Sequence, residues 1–326
     1  VAEPDAVAAQ AAVTPDGLIY KYKSPAEQVS ESRVAAAQLR STGENSGSSA
    51  GFDPSAGVSA ASDTAAGSSS IDTVAPTSAA EPAGSSDTAE AASAMPTGNR
   101  KLLTVFGTDD RKEIKSGQQY PWNVHGQIEY TTDQDWACSG SVIGPNAVLT
   151  AAHCILGSKD QIASSWTFSA NRVVSGNDKR YGTVGWLRVF YNTGYWTARD
   201  WWLWDIAVVI LDTDLGKRTG YLGTAWSESG YTGSLVTAGY PGDKAWGSLW
   251  YINGGSTCYV TDKDGKDSLL IHQCDIFSGQ SGSPMWVPNA RQVRAVVSAQ
   301  DSSKNIAAAI NKYWFDYIES NRFKTS

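Results

Sequence analysis

The sequence predicts an all-β domain over residues 100–326, closed by one C-terminal α-helix and preceded by an N-terminal extension of a different character. Three observations carry that expectation. Short runs rich in β-branched and aromatic residues follow one another between turn signals, at 125–130, 139–150, 165–173, 183–191, 205–212, 233–240, 247–252, 269–274 and 293–299. Many short strands at that spacing belong to a sandwich or a barrel. All 13 tryptophans lie beyond residue 120, so the largest core-forming side chains are confined to this part. From Ser41 to Gly98, by contrast, the chain is dominated by Ser, Ala, Gly, Thr, Pro and acids. Such a segment cannot bury enough apolar surface to offset its conformational entropy.

Taken in order, residues 1–40 read as a propeptide-like segment with a short helix. Ser24-Pro25-Ala26-Glu27 supplies an N-cap, a proline at the first helical position and a glutamate able to reach back, so a helix is expected through Leu39. Residues 41–99 read as a disordered linker. They hold seven acids and no Lys or Arg, which accounts for the formal net charge of −7, since the remaining segments nearly cancel. No basic stripe argues for nucleic acid, and no apolar run reaches the length of a membrane span. The last helix is expected from Ile306, Ile310, Tyr313, Trp314, Tyr317 and Ile318, which recur at three- and four-residue steps.

The four cysteines, Cys138, Cys154, Cys258 and Cys274, fall into two pairs whose partners stand 16 positions apart. Three connectivities are possible, and pairing in order closes two short loops. No C-x-x-C or Cys/His cluster argues for a metal. The cysteines favour an oxidising compartment. Because the sequence starts without Met or a leader, the expectation is a secreted chain whose leader has been removed.

The chemistry concentrates in Gly279-Gln280-Ser281-Gly282-Ser283-Pro284. A serine hydroxyl at neutral pH needs a base to take its proton, a carboxylate to orient that base, and donors for the oxyanion that forms. The amides of Gly279 and Ser281 are the natural oxyanion donors. Only three histidines exist. His153 ends the run Thr150-Ala151-Ala152 and precedes Cys154, so small residues leave its imidazole clear and a bridge to Cys138 would pin its loop. His125 and His272 lie in strand-like runs and read as core histidines. Asp205 opens the apolar run Ile206–Leu211, where a carboxylate is costly to desolvate unless hydrogen-bonded. It is the candidate to hold the second nitrogen of His153; Asp200, Asp212 and Asp214 read as turn residues.

Thr-Ala-Ala-His-Cys, Asp-Ile-Ala-Val-Val and Gly-x-Ser-Gly-Ser-Pro, in that order, resemble the chymotrypsin-clan serine proteases over residues 100–326. The resemblance implies a chymotrypsin-like double β-barrel with the site in the cleft. His153 would be base, Asp205 its orienter and Ser281 the nucleophile, with Ser298 matching the family's serine beside the buried aspartate. Val105–Arg111 and Gly239-Tyr240-Pro241-Gly242-Asp243-Lys244 resemble the glutamyl endopeptidase branch. Gln280 stands where trypsin-type zymogens carry the aspartate that pairs with a new N-terminus. Val297 and Ile276 stand where the Glu-selecting branch uses His and Thr. Asp275 stands where trypsins select Arg and Lys. A substrate pocket is therefore expected around Asp275, Ile276, Val297 and Ser298, with acidic, basic and other preferences all open. The expected partners are protein or peptide substrates and an activating protease. A monomer without cofactor is expected. The rival is a catalytically silent protease-like domain that binds a partner; an esterase is disfavoured by the chain order His, Asp, Ser.

Overall fold

The structure, a computed structural model, describes residues 10–13, 19–22, 46–53, 104–115, 119–130, 137–156, 166–173, 178–253, 258–262, 269–300 and 303–324. Two antiparallel sheets dominate. The first runs, in spatial order, Ile19–Tyr22, Gln10–Val13, Trp186–Asn192, Ala207–Leu211, Ala147–Thr150, Ala137–Val142, His125–Tyr130 and Trp166–Ala170. The second runs Gly233–Ser234, Tyr259–Asp262, Leu269–His272, Asn305–Ala309, Gln292–Gln300, Pro284–Val287, Val236–Gly239, Leu249–Ile252 and Lys112–Ile114. Gly223–Ser227 joins it in parallel to Gln292–Gln300. This is the chymotrypsin-like double β-barrel that the sequence resembles. Every one of the nine expected strand regions contains a strand.

The inward positions of both sheets are apolar, and they pack into two clusters. In the first, Val148, Leu149, Phe168, Val189 and Val208 are fully or almost fully buried. In the second, Leu235, Val260, Leu270, Met285 and Val297 form a separate cluster with Cys258 and Cys274. The cysteines pair in order, Cys138 with Cys154 and Cys258 with Cys274. Closing a loop of this size stabilises by about 3 kcal/mol in the chain-entropy model.

The C-terminal helix spans Lys312–Asn321, so it is shorter than the expected face. Ile306 belongs instead to the strand Asn305–Ala309, which pairs on both sides with Leu269–His272 and Gln292–Gln300. Two ladders of backbone hydrogen bonds outweigh the helical spacing of the isoleucines. The helix can begin only after Ile310, where the Asn311 side chain accepts from the Trp314 amide as N-cap. Its buried face carries Trp314, Tyr317 and Ile318. Trp314 Nε1 donates to the Leu203 carbonyl at 3.1 Å, so the helix braces the turn Trp201–Trp204 that leads into Asp205.

Parts of the extension pack on the barrels. Gln10–Val13 pairs with Trp186–Asn192 and with Ile19–Tyr22. Within the segment expected to be disordered, Ser46–Ser48 pairs with Gly223–Ser227. Phe52 exchanges both backbone hydrogen bonds with Tyr221 and stacks on its ring. An open strand edge gives a polar Gly/Ser segment backbone partners that composition alone does not reveal. The helix expected over 24–39 and the linker from residue 54 to 99 lie outside the described residues.

Candidate active site

The register between Ala147–Thr150 and Ala207–Leu211 brings His153 and Asp205 together. Ala207 stands opposite Thr150 in this antiparallel pair, so continuing both chains past the ladder carries Asp205 to the turn Ala152–Cys154. His153 sits on that turn, nine-tenths buried. Its ring Nδ1 lies 2.7 Å from Asp205 Oδ2, and its backbone amide donates to Asp205 Oδ1 at 2.8 Å. Ser298 donates its hydroxyl to Oδ2 as well. The fully buried carboxylate thus receives at least three hydrogen bonds, which offset the loss of water. With Nδ1 committed to a carboxylate, the imidazole keeps Nε2 as its basic atom.

Ser281 lies on the turn between Asp275 and the strand Pro284–Val287. Two glycines with positive φ shape it, Gly279 at 96° and Gly282 at 83°. A Cβ on Gly282 would fall 2.2 Å from both the Ser139 carbonyl and the Thr150 hydroxyl, so only glycine lets the turn press against the first sheet. The contact is made by backbone: Ser139 N donates to the Ser281 carbonyl at 2.8 Å. Ser139 follows Cys138, whose disulfide partner Cys154 follows His153. One covalent bridge and one hydrogen bond therefore tie the loop of Ser281 to the loop of His153.

Ser139 also holds the turn from its other side. Its hydroxyl donates to the Gly279 carbonyl at 2.8 Å and accepts from the Tyr240 amide at 2.9 Å. Thr150 Oγ1 in turn donates to the Ser139 carbonyl at 2.7 Å. With its carbonyl so engaged, Gly279 keeps its amide without an acceptor among the described residues, and the Ser281 amide has none either. Sequence reasoning missed Ser139 and Thr150. Their only signal is adjacency to Cys138 and to the Ala-Ala-His run, and side chains that clamp a remote backbone leave no periodicity.

The expected pocket residues are placed differently. Asp275 is buried, and its two oxygens accept the amides of Phe106 at 2.7 Å and Asp110 at 2.8 Å. Its carboxylate is thus a strut for residues 104–111 rather than a pocket wall, because two backbone donors already consume it. Ile276 and Val297 have no exposed surface and belong to the core of the second sheet, so neither lines a pocket. Ser298 is brought to Asp205 instead. His125 and His272 are core residues as expected, and burial pushes both imidazoles down to about 3. His125 stacks on Trp286. The one grouping with metal-ligand spacing among the described residues, Cys138, His153 and Cys154, has both sulfurs in a disulfide and so offers no thiolate.

The trypsin family model matches residues 110–314. The glutamyl endopeptidase of Bacillus licheniformis is 32% identical over 187 residues, 57% of this chain. The match spans only 55% of that relative's own length. An extracellular metalloprotease of Bacillus subtilis is 28% identical over 224 residues, 66% of this chain and 69% of its own. Among solved structures, a Glu endopeptidase in complex with MPD superposes with a TM-score of 0.58 at 25% identity, covering 68% of this chain and all of that one. Two sheets, three motifs in one order and these similarities agree: the chain belongs to the trypsin family of serine proteases and is similar to its glutamyl endopeptidases.

Proposed function

We propose that the protein is a secreted serine endopeptidase that cleaves peptide bonds through an acyl-enzyme. The observation that carries this is the buried Asp205 carboxylate, which grips both the amide and the Nδ1 of His153 while the loop of Ser281 is bonded to the same corner of the first sheet. In this mechanism Nε2 of His153 takes the Ser281 proton as Oγ attacks the substrate carbonyl. The amides of Gly279 and Ser281 receive the oxyanion. His153 then gives its proton to the leaving amine, and water repeats the sequence on the acyl group to free the acid. Asp205 holds the tautomer throughout and stabilises the imidazolium.

Selection of the cleaved bond does not run through Asp275, whose oxygens both serve backbone amides. Nothing in that geometry favours Lys or Arg. Residues 1–40 and 41–99 act as a propeptide with tether, cut by an activating protease between Met95 and Val105, and the mature domain works as a monomer without cofactor. N-terminal sequencing of the active form checks the cut; full activity in the uncut chain would remove the propeptide role. For the catalytic reading, a fluorophosphonate probe should label the wild type and not Ser281→Ala. An unlabelled, folded wild type would favour a silent binding domain instead. A mixed peptide library read by mass spectrometry gives the preferred side chain.

A further inference from the structure

Among the described residues, Arg111 stands out for the number of hydrogen bonds its side chain makes. Its side chain has no exposed surface. Nε and Nη2 donate to the two oxygens of Asp109 at 2.9 and 2.8 Å. Nη1 donates to Asp243 Oδ1 at 3.0 Å, and Nη2 to Asp243 Oδ2. The same Nη1 reaches Gln280 Oε1 at 3.3 Å, and that oxygen also accepts the Phe277 amide at 3.0 Å. A single amide oxygen, one residue from the nucleophile, thus joins the guanidinium to the backbone of the serine turn.

Asp243 connects to the same turn by a second route. Its neighbour Gly242 donates its amide to the Ser278 carbonyl at 2.7 Å. Gly279 lies so close to this loop that a Cβ would fall 2.4 Å from the Tyr240 carbonyl. Loops 240–243 and 277–282 therefore pack backbone on backbone, and Arg111 spans them. Lys244 donates to Asp109 at 2.8 Å, so two cations face two carboxylates and the cluster is balanced. Burial works against the charge on Arg111, yet its hydrogen bonds to Asp109 and Asp243 hold the guanidinium above its ordinary range. Hydrogen bonding from Arg111 holds Asp109 well below the usual carboxylate range despite its partial burial. A planar fork with five donors suits a three-way junction of this kind, and an ammonium does not.

We propose that Arg111 is a positioning residue for the oxyanion hole, setting the amides of Gly279 and Ser281 through Gln280 and through the loop of Asp243. The proposal rests on the catalytic reading of Ser281. Oxyanion donors act only when held in place before the reaction, and small displacements are costly in rate. Arg111 supplies that hold from residues 104–111, which Asp275 fastens by the amides of Phe106 and Asp110.

The test uses the full chain carrying Arg111→Lys, Gln280→Leu or both, and a peptide substrate found by library cleavage. Each single variant should lower kcat by about tenfold to a hundredfold with KM changed less than about threefold, since the oxyanion exists only after attack. A peptide aldehyde, whose adduct carries that oxyanion, should lose affinity in proportion. The double variant should lose little more than Arg111→Lys alone, because the connection that Gln280→Leu breaks already runs through Arg111. Gln280→Glu keeps an acceptor facing Arg111 and should retain more activity than Gln280→Leu. Unchanged kcat in folded Gln280→Leu, or losses that simply multiply in the double variant, would overturn the proposal. Should Arg111→Lys fail to fold, Gln280→Leu and Gln280→Glu decide it alone. A folded wild type that no fluorophosphonate labels would remove the catalytic reading and this proposal together, whereas a labelled wild type with unaffected variants removes only the role of Arg111.

Discussion

Ser298 and Asp205 stand 93 residues apart in the chain and meet through a hydroxyl–carboxylate hydrogen bond of 2.5 Å. The oxygen they share is the one facing His153 Nδ1. Ser298 comes from the second sheet, His153 from the first, and Asp205 lies between them. Removing the hydroxyl in Ser298→Ala takes one donor from a buried charge. A hydrogen bond to a charged group contributes about 1.5–3 kcal/mol, so urea unfolding should show a loss in or just under that range. Steady-state kinetics should show kcat reduced with KM nearly unchanged.

Replacing the members of the proposed triad should be far more severe. Asp205→Asn keeps the shape but offers Nδ1 the wrong hydrogen-bonding partner, and kcat should fall by about 10⁴. Ser281→Ala and His153→Ala should cost at least as much, and combining them should add little, because the three act as a unit. Turnover of a peptide substrate by each variant checks this; normal turnover in His153→Ala would refute the assignment.

Gly282 and Gly182 share nearly the same backbone, with φ of 83° and 81°, but differ in surroundings. A Cβ on Gly182 meets nothing within 4 Å, whereas one on Gly282 strikes Ser139 and Thr150. Gly182→Ala should therefore cost only the left-handed penalty of about 1–2 kcal/mol. Gly282→Ala adds the collision and should lose roughly 3 kcal/mol or more together with activity. Parallel urea titrations of the two variants separate the terms, and equal losses would show that the turn has room to move.

The two disulfides close loops of equal length, so each should contribute about 3 kcal/mol to stability. Their effects on catalysis should differ. Cys138–Cys154 ties the His153 turn to the strand whose Ser139 holds Ser281, so the paired change of Cys138 and Cys154 to Ser should lower kcat as well as stability. Cys258–Cys274 lies in the second core. The paired serine variant there should show its effect chiefly in thermal and urea unfolding.

Acid should destabilise the fold through His125 and His272. Burial alone lowers both to about 3, and neither ring meets a hydrogen-bond partner among the described residues. As pH falls below about 6.5 the unfolded chain takes up these protons and the folded one does not, so stability rises with pH between about 3 and 6.5. Each group should cost about 2 kcal/mol between pH 8 and pH 5. His125→Phe keeps a ring against Trp286 and should flatten that dependence. An identical pH slope in the variant, measured by urea midpoints, would contradict the account.

What the sequence determined by itself was the class of fold and the candidates for the chemistry. Strand-forming runs between turns announce a β-barrel because period and turn residues are local properties. His153, Asp205 and Ser281 stand out because a base, a carboxylate opening an apolar strand and a glycine-flanked serine each carry a local signature. The tertiary structure alone decided which groups serve them. Arg111 reaches Gln280 across 169 residues, Ser139 holds Gly279 across 140, and Asp275 fastens the amides of Phe106 and Asp110 instead of facing a substrate. Ile306 and Ile310 kept helical spacing yet lie outside the helix, Ile306 in a strand and Ile310 in the link between strand and helix, since pairing on two sides was available only once the barrel had closed. Such partnerships depend on strand order and register, which set distances between residues remote in sequence and leave no periodic trace along the chain.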